Sequence, residues 1–360
     1  MIMSEKCKQH VDSCRFCWMC HHICPIGNAT GQERNTARAR ALGISLVNRE
    51  AIDLSEIVDN IYECATCGAC VYDCTTGWDP VMFTKEARLQ AALEGKLPDY
   101  IAVLVDNCLT TGNAYGKTDV PAEVAAAAAA HSKKTDTLLY LGVDAVYMAP
   151  QQAVKAIRVL EKAGVEFTVL AKEPASGAQL DFLIGAAQEA KDQMAKAAEI
   201  MNDFENVVIY DPVDAKLILR TYKEYGIELS AKAKTYTAYL ASLVASGALA
   251  PKKSDKTVTI QDHYALARDL GETQAVRAVV SNYASVQEML LHGAETVWAG
   301  DILMAQYLPS VIMQVSRRRI NNALSMGYTA MVAVGAAEYT ALKNVEQTQV
   351  EILSLEDLIL

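Results

Sequence analysis

The chain has 360 residues, 51% of them hydrophobic and 21% charged, with a formal net charge of −10. That is ample core-forming material for two or three compact units, and an acidic chain with no basic stripe interleaved with aromatics excludes a nucleic-acid binder. No run of about 18 apolar residues exists, so no membrane span is expected, and the polar stretch Met1 to His10 lacks the apolar core of a signal peptide, which implies a cytoplasmic protein.

Nine of the ten cysteines precede position 75, and Cys108 is the last. Cysteines packed at one end of a chain without an export signal point to metal ligation rather than disulfide stapling. Residues 14–25 read CRFCWMCHHICP, placing Cys14, Cys17, Cys20, Cys24 and Pro25 in the C-x2-C-x2-C-x3-C-P run that ligates iron–sulfur clusters. Residues 64–74 repeat the spacing with Cys64, Cys67, Cys70 and Cys74, and Thr75 stands where the proline would be. Zinc usually takes two separated pairs of ligands and has no use for a tight four-cysteine run repeated. Three thiolates two residues apart wrap three irons of one cubane, and the fourth faces away toward a different cluster. In two-cluster ferredoxins, which this pattern resembles, the ligand sets cross. The resemblance implies two [4Fe–4S] clusters: Cys14, Cys17, Cys20 and Cys74 on one, Cys64, Cys67, Cys70 and Cys24 on the other. His21 and His22 then read as surface or hydrogen-bonding residues. Cys7, in a polar tail expected to be mobile, and Cys108 are leftover thiols without a partner that would make either a nucleophile.

Thirty-nine residues separate Cys24 from Cys64. Thr30 to Leu42 is rich in Ala and Arg with few breakers and reads as helix; Ser55 is placed to cap a segment bearing Ile57, Val58 and Ile61 at helical spacing. The first region is therefore expected to be all-helical. Phe16, Trp18, Tyr62, Tyr72 and Trp78 crowd the cysteines, where their expected role is to shield metal from water. Arg34, Arg38 and Arg40, like Arg317, Arg318 and Arg319 later in the chain, read as solvated faces available to an acidic partner.

Beyond Pro98 the texture changes. Thr111 to Lys117 is a Gly/Asn loop and Ala122 to Ala130 a polyalanine-like helix. Thr137–Leu141 reads as a strand; Pro150 opens a helix with Ala153, Ala156, Ile157 and Leu160 on one face, ended by Gly164. Val165–Leu170 is the next expected strand, an Ala-rich helix runs to about Asp203, and Val207–Tyr210 is a strand followed by Asp211 as cap and Pro212 as first helical residue. The pattern recurs with strands at Lys256–Ile260, Thr296–Trp298 and Ala330–Val334. The implied fold class is α plus α/β: an N-terminal all-helical two-cluster ferredoxin domain (1–106), a linker with an Ala-rich helix (107–134), and two pseudo-repeated βαβ-type halves (135–248 and 249–360) with mostly parallel sheets. Neither G-x-G-x-x-G nor G-x-x-x-x-G-K-[ST] is present, so no nucleotide site is indicated.

This organisation resembles the heterodisulfide reductase B/D-like iron–sulfur family, which includes the iron–sulfur subunits of glycolate oxidase, of L-lactate oxidation systems and of anaerobic glycerol-3-phosphate dehydrogenase. Asn107-Cys108-Leu109 and Gly112 to Gly116 look like the family's inter-domain segment, and Ala163 to Leu170 like the strand entering its first cysteine-rich (CCG) loop. The family's CCG cysteines are absent: Glu173 to Gly177, Asp211 to Asp214, Gln261 to Arg268, Gly300 to Leu303 and Gly335 to Glu338 stand in their places. A thiolate-bound catalytic cluster needs thiolates, so disulfide reduction there is excluded. Asp211, Asp214, Asp262, His263, Asp301 and Glu338 are a conceivable site for a hard cation, but are expected to be solvated acids and caps.

The resemblance implies an electron-transfer subunit that is not catalytic alone. It would pass single electrons between a partner carrying FAD, an oxidase or dehydrogenase of the glycolate or D-lactate type, and a one-electron carrier such as an electron-transfer flavoprotein or ferredoxin, within a hetero-oligomer. Two alternatives stay open: a reductase with its own non-cysteine site in the former CCG cleft, and a structural subunit whose clusters are not redox-active.

Overall fold

The computed structural model describes residues 3–15 and 17–360. Up to residue 130 the described residues form helices and turns, and the remainder alternates helices with strands, giving the α plus α/β class. Seven strands carry the second region: β1 (Thr137–Tyr140), β2 (Asn206–Ile209), β3 (Lys232–Thr235), β4 (Thr257–Gln261), β5 (Ser285–Val286), β6 (Ala330–Ala333) and β7 (Glu351–Ser354). They form two all-parallel sheets, β1-β2-β3 and β5-β4-β6-β7. A single parallel bridge from Leu138 to Thr168 extends the first sheet on the far side of β1. Counting that segment, both sheets have the chain order second-first-third-fourth, so the repeat seen in the sequence is a repeat of topology.

Buried parallel strands read as apolar runs because helices cover both faces; all four residues of β6 are buried. Leu139, Val208, Ile260 and Val332 meet in one core shared by the two sheets. Ile44, Ile61 and Phe83 of the helical region join Val207 and Ile209 of β2 in another. Ile26, Ala65 and Cys67 pack with Tyr264, Trp298 and Met304, which ties the cysteine loops to the second half.

Several local expectations are corrected. The helix expected over 30–42 is split: Gly31, at φ +67°, ends Pro25–Thr30, and the next α-helix runs Ala37–Asn48, capped by Thr36. Asp53, not Ser55, is the cap, sharing a capping box with Glu56 ahead of the helix Val58–Tyr62. The Ala-rich helix breaks into Ala178–Ile184 and Gln188–Met201 at Gly185 (φ +61°), where a Cβ would sit 2.7 Å from the Lys85 carbonyl oxygen. Of 165–170 only Thr168 bridges to a strand. Thr296–Trp298 is not a strand either: side chains of Arg268 and Gln261 take the Thr296 and Val297 carbonyls, and β5 fills the corresponding edge. The edge strands β3 and β7 went unpredicted because Lys232 and Lys234 of β3 face solvent, and β7 is short and follows a polar turn.

Candidate metal centre

Both cysteine motifs fold in the same way. The residue after the second cysteine, Trp18 (φ +68°) or Gly68 (φ +73°), is left-handed and starts a short helix, Met19–Ile23 or Ala69–Tyr72, that carries the third cysteine. Glycine adopts this conformation freely; tryptophan gives up about 1 kcal/mol, and the Arg38 guanidinium packs 3.8 Å over its ring. Each fourth cysteine leaves its helix. Cys24 is extended, precedes Pro25, and its Sγ accepts from the Gly27 amide at 3.4 Å. Cys74 Sγ lies 3.2 Å from Thr76 Oγ1.

Mutual repulsion among the cysteine thiols runs in two sets. Burial raises the Cys20 thiol to about 11, with Cys14, Cys17 and Cys74 among the neighbours pushing the same way. Burial also raises Cys24, Cys67 (to about 11) and Cys70. Cys64 adds to the shift of all three, and Cys24 to those of Cys67 and Cys70. This repulsion runs across the motifs, from Cys74 to Cys20 and from Cys24 to Cys67 and Cys70. Cys74 is lowered: its slight burial is outweighed by hydrogen bonds from Thr76, Trp78 and Gly77. Thiols held this high become thiolates only beside a strong positive centre such as a metal.

The two groups differ in setting. Cys17 is exposed, as are its neighbours Trp18, Met19 and Tyr72. Cys24, Cys64, Cys67 and Cys70 instead line one cavity whose other walls include Ile26, Ala65, Val81 and Arg40. Among the described residues no three Cys, His, Asp or Glu side chains converge on a single ion. The donor set, four sulfurs around a mostly apolar cavity, fits an iron–sulfur cube.

Three arginines brace this inner group. Arg40, 2% exposed, donates to the Asn35 and Asn60 carbonyls at 3.3 and 3.1 Å. Arg88, fully buried, donates to the carbonyls of Ile61 (3.1 Å), Cys64 (2.6 Å) and Phe182 (2.7 Å). Arg268 reaches in from the second half, Nε and Nη2 donating to the Cys67 carbonyl at 3.1 and 2.9 Å and Nη1 to Ala294 and Thr296. Tyr307 Oη donates to the Tyr62 carbonyl at 3.0 Å. Sequence reasoning missed Arg88, Arg268 and Tyr307 as supports; their only signal was a lone polar group in an apolar stretch.

Other expectations resolve unevenly. Tyr62 and Trp78 are buried, but Trp18 and Tyr72 face solvent rather than shield metal; Phe16 lies outside the described residues. His21 is half-buried, 3.1 Å from Glu33, and His22 is exposed. Cys7 is not in a mobile tail: it is fully buried in the helix Glu5–Asp12. Cys108 is buried too, its thiol raised to about 12 by burial and the Asp144 charge. Arg34 pairs with Glu63 and Arg38 with Glu33. Arg40 and Arg319 are not surface charges: both are buried, and Arg319 donates to Gln261 Oε1 at 2.6 Å.

Of the acids singled out in the second region, Asp301 is half-buried and the others are not solvated. Asp211, Asp214, Asp262, His263 and Glu338 are all at most 4% exposed, because the ends of β2, β4 and β6 converge where the two halves meet. Asp262 is matched by Arg277, at 2.8 Å through both nitrogens. Gly335 packs so tightly there that a Cβ would stand 2.7 Å from Pro212 Cδ.

Residues 10–78 match the family described as a 4Fe-4S dicluster domain. A relative from Chromohalobacter salexigens, named "Probable membrane-anchored ferredoxin", is 26% identical over 270 residues, 71% of this chain and 39% of its own length, so the chain spans about two fifths of that protein. The D-type polypeptide of the dihydromethanophenazine-linked heterodisulfide reductase of Methanosarcina acetivorans is 24% identical over 360 residues, 87% of this chain and 84% of its own. Its counterpart in Methanosarcina mazei is 26% identical over 316 residues, 77% and 74%. No helix among the described residues is long and apolar enough to cross a membrane.

Proposed function

Because this chain is an electron-transfer iron–sulfur protein of the heterodisulfide reductase D-like family, we propose that it is a two-cluster relay between a flavoprotein and a one-electron carrier. Cys14, Cys17, Cys20 and Cys74 hold an outer [4Fe–4S] cluster, and Cys24, Cys64, Cys67 and Cys70 an inner one. What supports this reading is that Cys24, Cys64, Cys67 and Cys70 line one cavity, while Cys14, Cys17 and Cys74 add to the repulsion felt by Cys20. When bound, such a cluster accepts and returns one electron at a time, with a potential set by charge, hydrogen bonding and exposure.

The chain's residues divide the work. Trp18, Met19 and Tyr72 form an exposed rim beside the outer sulfurs, which suits contact with a partner. Arg40, Arg88 and Arg268 order the inner loop and place positive charge beside it, and Tyr264 and Trp298 keep water away. The partner is an FAD-bearing 2-hydroxyacid oxidase or dehydrogenase, so the assembly is a hetero-oligomer and the substrate reacts on the other polypeptide. An electron-transfer flavoprotein or a ferredoxin is the opposite terminus. The two Methanosarcina relatives are by name components of a larger enzyme, which supports a partnered role.

Mild purification from the native cell tests this. A flavoprotein should co-purify, its substrate should bleach the chain's visible absorbance, and about eight irons per chain should be found. A chain that purifies without any flavoprotein under every growth condition, or whose clusters no flavoprotein reduces, ends the proposal.

A further inference from the structure

The two cysteine motifs diverge just after the fourth cysteine. Pro25, Ile26 and Gly27 follow Cys24, all buried in the first turn of the helix Pro25–Thr30. Thr75, Thr76 and Gly77 follow Cys74, and all three are exposed. With no proline to open a helix there, residues 74–77 close a turn instead. The Gly77 amide donates to the Cys74 carbonyl at 3.2 Å, and Gly77 itself sits at φ +70°, which glycine adopts freely. The turn carries the Thr76 hydroxyl to 3.2 Å from Cys74 Sγ. The residue at the same place after Cys24 is Ile26, whose side chain has nothing to donate; Cys24 Sγ accepts from the Gly27 amide at 3.4 Å.

Between a thiol and a hydroxyl the hydrogen bond could run either way. A metal-bound cysteine is a thiolate, which has no proton and only accepts, so on a loaded protein the Thr76 hydroxyl is the donor. Such a bond to an anion is stronger than one between neutral groups. Reduction of a cluster adds one electron, and part of its charge falls on the ligating sulfurs. The O–H···S bond therefore tightens on reduction and favours the reduced state. The hydroxyl keeps its proton throughout, so the step takes up one electron and no proton.

We propose that the Thr76 hydroxyl raises the reduction potential of the outer cluster, acting through the Cys74 sulfur. The two clusters are then tuned by different means: the inner one by buried arginines beside its loop, the outer one by a hydroxyl on an exposed turn. This rests on the placement of Cys74 in the outer cluster and on the relay reading. Because Thr76 is exposed, water competes for its hydroxyl, and the effect belongs at the lower end of what one hydrogen bond contributes. About a two- to fivefold change in the equilibrium for adding the electron is expected. At about 59 mV per tenfold for one electron, that is a shift of about 20–40 mV.

An EPR-monitored titration of the full-length, cluster-loaded chain, with dithionite as reductant, tests it. The outer signal is the one missing from Cys14→Ser. Thr76→Val keeps the branched shape and removes the hydroxyl; it should lower the outer midpoint by about 20–40 mV and leave the inner one within about 10 mV. Thr76→Ser restores the donor and should return the outer midpoint to within about 10 mV of wild type, and Thr75→Val should not move it. If Thr76→Val fails to take up iron, Thr76→Ala is held to the same criterion. Two intact signals with an outer midpoint unchanged or raised in Thr76→Val overturn the proposal and leave the relay reading standing. So does an equal fall of both midpoints, or a fall in Thr76→Ser as large as that in Thr76→Val. Wild-type clusters that dithionite does not reduce end the relay reading and this proposal with it.

Discussion

Replacing Arg268 with glutamine removes a positive charge whose guanidinium grips the Cys67 carbonyl through two nitrogens. A positive charge near an inner sulfur stabilises its anionic form, and Arg268 does lower Cys67 against the dominant upward effect of burial. Reduction adds negative charge, so loss of Arg268 lowers the potential of the inner cluster. A unit charge on the order of 7 Å away, at an effective dielectric of about 20, is worth ~2.4 kcal/mol. Arg268 is half-buried, and halving for solvent screening leaves about 1.2 kcal/mol. With about 59 mV per tenfold change for one electron, the midpoint falls by about 50 mV. The lost hydrogen bonds to the Cys67 carbonyl act in the same direction. An EPR-monitored redox titration of Arg268→Gln beside wild type reads this directly, with Arg268→Lys as a variant that keeps the charge and loses the fork. A rise in potential, a change within about 10 mV, or equal shifts of both clusters would refute the reasoning.

Cys14→Ser and Cys64→Ser should each lose about four of eight irons, and the crossing is tested by their partners: Cys74→Ser should remove the same EPR signal as Cys14→Ser, and Cys24→Ser the same as Cys64→Ser. Pairing of Cys74 with Cys64 in that assay would show the sets to be uncrossed. Glu338 is raised to about 8 by burial from 4.5. An acid raised on folding contributes stability fully present below its unfolded value and lost as pH rises through the folded one, so Glu338 destabilises increasingly between about pH 4.5 and 8. Glu338→Gln should therefore gain on wild type by on the order of 2–4 kcal/mol between pH 5 and 8.5 in denaturant titrations; a pH-independent difference would contradict the burial argument. Gly335→Ala, facing Pro212 at φ +84°, should cost about 2–4 kcal/mol, whereas Gly271→Ala, at φ +67° with nothing within 4 Å, should cost only about 1 kcal/mol. Equal losses would mean the contact with Pro212 relaxes freely.

What could be read in advance followed from local chemistry. Cysteine spacing marked the metal region because the reach between successive thiolates is set within a dozen residues. β1, β2, β4 and β6 were legible because buried parallel strands are apolar runs bounded by turn residues. The failures were tertiary. Thr296–Trp298 has the composition of a strand, yet its carbonyls are taken by Arg268 and Gln261. Asp211 reads as a helix cap and is one; its burial came from the opposing half, which local pattern does not encode. Trp18 looked like a shield, but a left-handed turn carries it outward. Arg268 and Tyr307 were invisible as supports, because they act on residues 201 and 245 positions away.

Those separations bear on how the protein is made. When residue 74 has left the ribosome, all eight motif cysteines are available, but the donors that close over the Cys67 and Tyr62 carbonyls have not been synthesised. Iron and sulfide delivered to so young a chain would rest in a loop still open to water. The inner cysteine loop is therefore closed only by residues translated 201 and 245 positions after the ones they hold, and until then it stays accessible to incoming metal.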